Sequence, residues 1–238
     1  MESMNFPFIL SSFAFRTGCR VTGITLSEEQ MKLAENRVRT AGLENKISFQ
    51  LCDYRMHQHP NGKEANYDRI VACEMLEAVG HEYLGDFFFH VSRLMKTDGI
   101  AVVQVITTPD FRYDEYRQSS DFIKEQIFPG GCAPSFSAIV NAAANNSDLI
   151  VEHAENNCGL SYARTLELWR QRFEANIDKI RSLSSIFDEY FIRKWIYYFT
   201  YCESGFRTRT LGNFQIVFSR VGNGNLGLHP LITQSELY

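Results

Sequence analysis

Polar and apolar positions alternate along Ile47–Leu51, where Ile47, Phe49 and Leu51 point one way and Ser48 and Gln50 the other, the period of a half-buried strand. Arg20–Thr25 alternates more weakly and predicts a shorter strand before it. Between the two, Met31, Ala34, Val38 and Ala41 recur at helical spacing behind a Ser27–Gln30 capping box, and Gly42 ends the helix. Ile70–Cys73 is a continuous apolar run, as in strands buried on both faces. It ends in two acids, Glu74 and Glu77, followed by Gly80. Leu84, Phe87, Phe88, Val91, Leu94 and Met95 then mark a helix that stops at Thr97-Asp98-Gly99, and Ile100–Ile106 predicts another buried strand.

Strand and helix taking turns in this rhythm predict an α/β fold with a parallel sheet and helices on both faces, because parallel neighbours need crossover connections. After Thr107 the rhythm breaks into an irregular insert running through Ile127-Phe128-Pro129-Gly130-Gly131. Ser135–Asn145 predicts a helix and Leu149–Ala154 a strand. One aromatic-rich helix is marked by Leu166, Trp169, Phe173, Ile177 and Ile180, and a second by Phe187, Phe191, Trp195, Tyr198, Cys202 and Phe206. Phe214–Ser219 alternates as a last strand, and the Gly- and Asn-rich tail from Gly222 reads as disordered.

Composition narrows the function without identifying it. At 238 residues one domain is the expectation, and a net charge of −4 gives no reason to expect nucleic acid. Leu160–Val221 nevertheless carries ten Lys/Arg against six Asp/Glu, a basic third that suits anionic lipid headgroups, although a solvated helix face is the commoner cause. Six cysteines without paired ligand spacing read as reduced thiols in a cytosolic compartment, and His57 and His59 as loop histidines rather than a metal site. No apolar run is long enough to span a bilayer, and the acidic start of the chain argues against a signal peptide.

In open parallel sheets ligands lie across the carboxyl ends of the strands. The candidates are therefore Thr25, Leu26, Ser27 and Gln30 after the first strand, Asp53 and Tyr54 after the second, and Glu74 and Glu77 after the third. Asp53 can accept hydrogen bonds, Tyr54 can cover a flat ring and Gln30 can bond a hydroxyl. Each has a plainer alternative: Gln30 closes a capping box, Asp53 forms a turn, and the two glutamates are solvated loop acids.

The runs VTGITLSEEQ, CDYR, GHEYLGDFF, IFPGG, TLELWRQRF and GFRTRTLGNFQIVFSR, in that order from about Arg16 to Gly222, resemble the cyclopropane fatty acid synthase family, also known for its mycolic acid cyclopropane synthases. The resemblance implies a Rossmann-like class I methyltransferase that uses S-adenosylmethionine to add a methylene across a cis double bond of a phospholipid acyl chain. It implies a ribose-side loop at Thr25, Leu26, Ser27 and Gln30, an adenine-side pair at Asp53 and Tyr54, and a bicarbonate site built from Glu77, Tyr198 and the backbone of Ile106. Gln104 stands where bacterial members have a histidine of that site. The partner implied is an unsaturated phospholipid at a membrane surface, and the location cytoplasmic with peripheral membrane contact; a homodimer is left open.

Two features depart from the family pattern. Gln104 donates hydrogen bonds but does not titrate near neutrality. Nothing in Met1–Gly18 resembles the Gly-rich turn, roughly E-x-G-C-G-W-G, that follows the family's first strand. The expected layout is therefore an unmatched segment over residues 1–15, in which Phe6–Phe15 is a candidate for the vacant strand, a partial methyltransferase domain over 16–221, and a tail over 222–238. Besides the lipid enzyme, the sequence leaves open a non-catalytic truncated or splice product and a different small-molecule methyltransferase.

Overall fold

The computed structural model describes residues 14–58, 67–156 and 158–223. The expectations for Phe6–Phe13 and for the tail beyond Asn223 lie outside these residues, as does His59. The chain falls into two compact units, residues 1–64 and 65–238.

In the first unit, β1 (Val21–Thr25) and β2 (Ile47–Leu51) run parallel, with Val21 opposite Ile47 and Thr25 opposite Leu51. The crossover between them is α1 (Glu28–Thr40). Its start follows from Ser27, whose hydroxyl accepts the Gln30 N–H at 3.2 Å; Glu28 and Glu29 in the first turn and Arg37 and Arg39 in the last oppose the helix dipole. Gly42, at φ 66°, turns the chain left-handed so that the Leu43 N–H reaches back to the Val38 carbonyl, a glycine-terminated helix end. Val38 and Ile47 pack with Ala14 into a small core flanked by Val21, Leu43 and Phe49.

The second unit is built on four strands in the order β3–β4–β6–β5: β3 (Tyr67–Cys73), β4 (Met95–Thr107), β5 (Leu149–Glu155) and β6 (Gly212–Arg220). β3 and β4 are parallel, crossed over by α2 (Leu84–Leu94), whose Leu84, Phe87, Phe88 and Val91 are buried as the stripe predicts. The parallel expectation stops there, since β6 lies antiparallel to both β4 and β5. The expected stop at Thr97-Asp98-Gly99 is also absorbed into β4. Gly99 is needed there, because a Cβ would meet Met95 Cγ at 2.4 Å and the Tyr67 carbonyl at 3.2 Å. Phe88 and Phe218, both fully buried with rings 5.1 Å apart, join α2 to β6. Each such side chain contributes roughly 2–3 kcal/mol by leaving water.

The insert after Thr107 is more regular than the sequence suggests. It contains α3 (Asp110–Gln118) and one π-type turn, Ile123–Ile127. Tyr113 is the only buried side chain of α3, so no apolar stripe announces that helix. α4 (Phe136–Asn146) forms where a helix is expected, and Ser135, predicted as its first residue, is its cap. The first aromatic helix is shorter than predicted: α5 (Cys158–Glu174) ends and Ile177 and Ile180 belong to a separate α6 (Ile177–Leu183). Asn176 causes the break by turning its side-chain amide onto the Arg172 carbonyl at 2.7 Å, a local bond that competes with helix continuation. α7 (Glu189–Arg207) packs on α5 through Ala163, Leu166, Phe199 and Phe206.

β6 also closes the unit at its far end. The Arg220 guanidinium donates to the Ser92, Met95 and Lys96 carbonyls and pairs with Asp148 at 2.7 Å, capping the last turn of α2. No helix among the described residues is long and apolar enough to cross a membrane. Cys19, Cys52, Cys73, Cys132 and Cys202 are free thiols.

Candidate functional site

At the carboxyl ends of β1 and β2 the predicted polar residues form short local networks. Thr25 Oγ1 accepts the Ser27 N–H at 3.1 Å and donates to Gln30 Oε1 at 2.7 Å, while Ser27 caps α1. Leu26, between them, is 76% exposed. The capping alternative is therefore real for Ser27, but the Gln30 side chain is held by Thr25 and keeps its amide N–H groups as donors. Asp53 likewise forms a turn, accepting the Arg55 N–H at 2.9 Å, and pairs with the Arg55 guanidinium at 2.6 Å. Its carboxylate, 24% exposed, accepts from the Arg55 backbone N–H, Nε and Nη2, with both oxygens engaged. Arg55 stands 5.9 Å over the Tyr54 ring. A hydroxyl acceptor, an amide donor and an aromatic face at neighbouring strand ends can hold a nucleoside.

In the second unit, the ends of β3 and β4 and the start of β6 bring together residues far apart in sequence. Gln104 lies opposite Gln215 in the antiparallel ladder and beside Cys73 in the parallel one. Glu74 follows Cys73 with a left-handed φ of 51°, its N–H bonded to the Gln104 carbonyl at 2.8 Å. A non-glycine residue pays steric strain in that conformation. The Glu74 carboxylate accepts from Tyr162 Oη at 2.7 Å and from Gln104 Nε2 and Asn213 Nδ2, both at 3.2 Å. Gln215 Nε2 completes the chain by donating to Gln104 Oε1 at 2.9 Å.

Glu77 is held differently. One carboxyl oxygen accepts the Ile106 N–H at 2.5 Å; the other is buried without any hydrogen-bond partner, although the residue as a whole keeps some exposure. Burial, opposed by the backbone donors and reinforced by Glu74, pushes its pKa up to about 7. Near neutrality Glu77 therefore holds a proton for much of the time and can donate it. Cys73 is pushed up to about 11 by burial and then by the two acids. Tyr162 and Tyr198 are raised too, burial leading in both. Tyr198 sits in the α5–α7 aromatic cluster with its ring 5.2 Å from Trp195. A protonated carboxyl, a buried vacancy in its hydrogen bonding and an aromatic wall can hold a small oxyanion beside an apolar chain.

Of the residues expected at the bicarbonate site, Glu77 and Ile106 are in direct contact. Gln104 bonds Glu74 instead, and Tyr198 meets Cys202. The sequence marks Glu74 only as one of two strand-end acids and does not single out Tyr162 or Asn213. Asn213 is a fully buried amide in β6, with its Oδ1 unpartnered. Tyr162 carries no signal of its own, lying in a helix rich in ring residues.

Residues 9–216 match the family model described as mycolic acid cyclopropane synthetase. A tuberculostearic acid methyltransferase of Mycobacterium tuberculosis is 36% identical over 205 residues, covering 86% of this chain and 46% of its own length. The cyclopropane-fatty-acyl-phospholipid synthase of Escherichia coli K12 is 34% identical over 207 residues, 86% of this chain and 48% of its own. The chain thus spans about half the length of these relatives. The cyclopropane synthase MmaA2 of Mycobacterium tuberculosis superimposes with a TM-score of 0.76 at 21% identity, over 87% of this chain and 72% of that one. Mycolic acid cyclopropane synthase CmaA1 complexed with SAH and CTAB gives 0.75 at 24%, with the same coverage. These likenesses establish a Rossmann-like methyltransferase fold.

Proposed function

From the premise that the chain belongs to the mycolic acid cyclopropane synthetase family, we propose that it serves S-adenosylmethionine-dependent one-carbon transfer to a cis double bond in a phospholipid acyl chain, met at a membrane surface. The observation that carries this reading is the Glu77 carboxyl, anchored by Ile106 on one oxygen and buried without a partner on the other. A solvated loop acid has no such vacancy.

S-adenosylmethionine supplies, when bound, a methyl group activated by positive sulfur. Thr25, Leu26, Ser27 and Gln30 would hold its ribose side, and Asp53 with Tyr54 its adenine side. The Gln30 amide keeps donors for a ribose, whereas Asp53 would have to exchange its Arg55 pair for an adenine amino group. Glu77, whose second oxygen is buried without a hydrogen-bond partner, would hold a bicarbonate ion and, when protonated, could donate to it. Ile106 fixes the carboxyl, and Gln104 acts on the site through Glu74. The alkene is a weak nucleophile, so the protein's task is to position it and exclude water. The aromatic cluster of Tyr198, Phe199 and Phe206 suits both, its ring faces favouring positive charge.

A second reading, a chain that keeps the fold without the catalysis, is favoured by the ion pair occupying Asp53. Calorimetric titration of the chain and its Asp53→Ala variant with S-adenosylmethionine separates the two. Saturable binding lost in the variant supports the first, and vesicles of monounsaturated phospholipid should then gain one methylene by mass. Absence of binding to the wild-type chain establishes the second.

A further inference from the structure

The turn between α6 and α7 leaves two large apolar side chains in water. Leu183, the last residue of α6, is 75% exposed and Ile186 71%. The turn itself is braced. The Phe187 N–H returns to the Ser184 carbonyl at 3.1 Å, and the Phe187 ring packs 4.8 Å from that of Phe191. An ion pair between Arg181 and Glu189 ties the end of α6 to the start of α7. Leu183 and Ile186 therefore stand out from a fixed tip whose phenylalanine is turned inward.

The outer face of α7 continues this surface. Tyr190, Tyr197 and Tyr201 are spaced by seven and four residues, which places them in one stripe of the helix, and all three are exposed. Tyr197 and Tyr201 stack with ring centroids 5.8 Å apart, and Phe122 meets Tyr197 edge-on at 4.7 Å. Arg193 and Lys194, three and four positions after Tyr190, flank the stripe on its two sides. Neither of them, nor Lys179 of α6, takes part in an ion pair among the described residues. Of the acids in this stretch, Glu189 pairs with Arg181 and Asp188 caps α7 through the Phe191 N–H at 2.8 Å.

A single exposed leucine needs no explanation. Two apolar side chains at a rigid tip, a row of tyrosines behind them and unpaired cations alongside fit the layers of a lipid surface in turn. Apolar tips enter the acyl region, tyrosines suit the headgroup level, and Lys and Arg meet phosphates. The same helix carries Tyr198 and Phe199 of the aromatic cluster at the candidate site.

We propose that the α6–α7 turn and the tyrosine stripe of α7 form a docking surface for a phospholipid bilayer containing anionic lipid. As the approach of the transfer site to its substrate, this surface rests on the reading above; as a lipid-binding surface it stands without it.

The test is sedimentation of the full chain with fluid-phase vesicles of saturated phosphatidylcholine, with or without an equal part of saturated phosphatidylglycerol. These chains offer no double bond and no S-adenosylmethionine is added, so the chemistry is not engaged. The wild-type chain should pellet with the mixed vesicles and several-fold less with phosphatidylcholine alone. Leu183→Asp combined with Ile186→Asp should lower the partition onto mixed vesicles roughly tenfold or more. Arg193→Gln combined with Lys194→Gln should lower it roughly fivefold or more, and leave the partition onto phosphatidylcholine unchanged. Circular dichroism and urea midpoints matching wild type establish that both variants are folded. A wild-type chain that stays in the supernatant, or folded variants that pellet as wild type does, overturn the proposal. So does a wild-type dimer in sedimentation velocity that Leu183→Asp with Ile186→Asp abolishes, since a second copy then covers this face. Failure on vesicles leaves S-adenosylmethionine binding to be read by its own titration.

Discussion

Replacing Glu77 by glutamine should make the protein more stable in alkaline solution and leave it nearly unchanged in acid. In the unfolded chain this carboxyl ionises near 4.5, and in the folded protein burial delays ionisation to about 7. Between those values the folded state holds a proton that the unfolded state has released, so stability falls as pH rises through the window. The full loss is about 3 kcal/mol, from a rise of roughly 2.5 pH units at 1.36 kcal/mol each. Glutamine cannot ionise, and its carbonyl can still accept the Ile106 N–H. The variant should therefore match wild type within about 1 kcal/mol below pH 4.5 and exceed it by about 3 kcal/mol above pH 7. Urea unfolding of both proteins at pH 4.5, 6 and 8, fitted with a common slope, reads the difference directly. Wild-type and variant stabilities that run parallel from pH 5 to pH 8 would refute the assignment of a buried, protonated Glu77.

Other expectations follow from packing and capping. Phe199→Ala empties a fully buried position between α5 and α7 and should cost about 3–5 kcal/mol in the same unfolding assay. Ser27→Ala removes the α1 cap and should cost only about 1 kcal/mol, with loss of helical circular dichroism confined to the first unit. Arg220→Lys keeps the charge but cannot reach three carbonyls and Asp148 together, and a loss of roughly 2 kcal/mol is expected by thermal unfolding. A Lys variant as stable as wild type would show that the carbonyl cap contributes little.

Where burial follows period, the sequence was readable. The α2 stripe and the Ser27 cap appear where the pattern puts them, because each depends on neighbours within a few residues, whereas β2 forms where expected but leaves Leu51 45% exposed. The misses are tertiary or locally overridden. α3 buries only Tyr113, so its helicity leaves no stripe, and the α5–α6 break depends on one asparagine amide outcompeting the helix. The antiparallel setting of β6 is decided by what it packs against rather than by its own residues. At the candidate site, one hydrogen bond joins Glu77 to Ile106, and the donors on Glu74 include residues 88 and 139 positions away. No local pattern encodes such a meeting.

The place of β6 in the sheet has a consequence for synthesis. β5 has no pairing with β4; the two are joined only through the strand that leaves the ribosome after both. During translation the second unit can form its β3–α2–β4 half, but β5 must wait, unpaired, until residues 212–220 emerge. Contacts of such long sequence separation form slowly. Folding of this unit should therefore wait for β6 to emerge, and a nascent chain stalled before Gly212 should remain open to protease along β5 while one extended well beyond Arg220 should not.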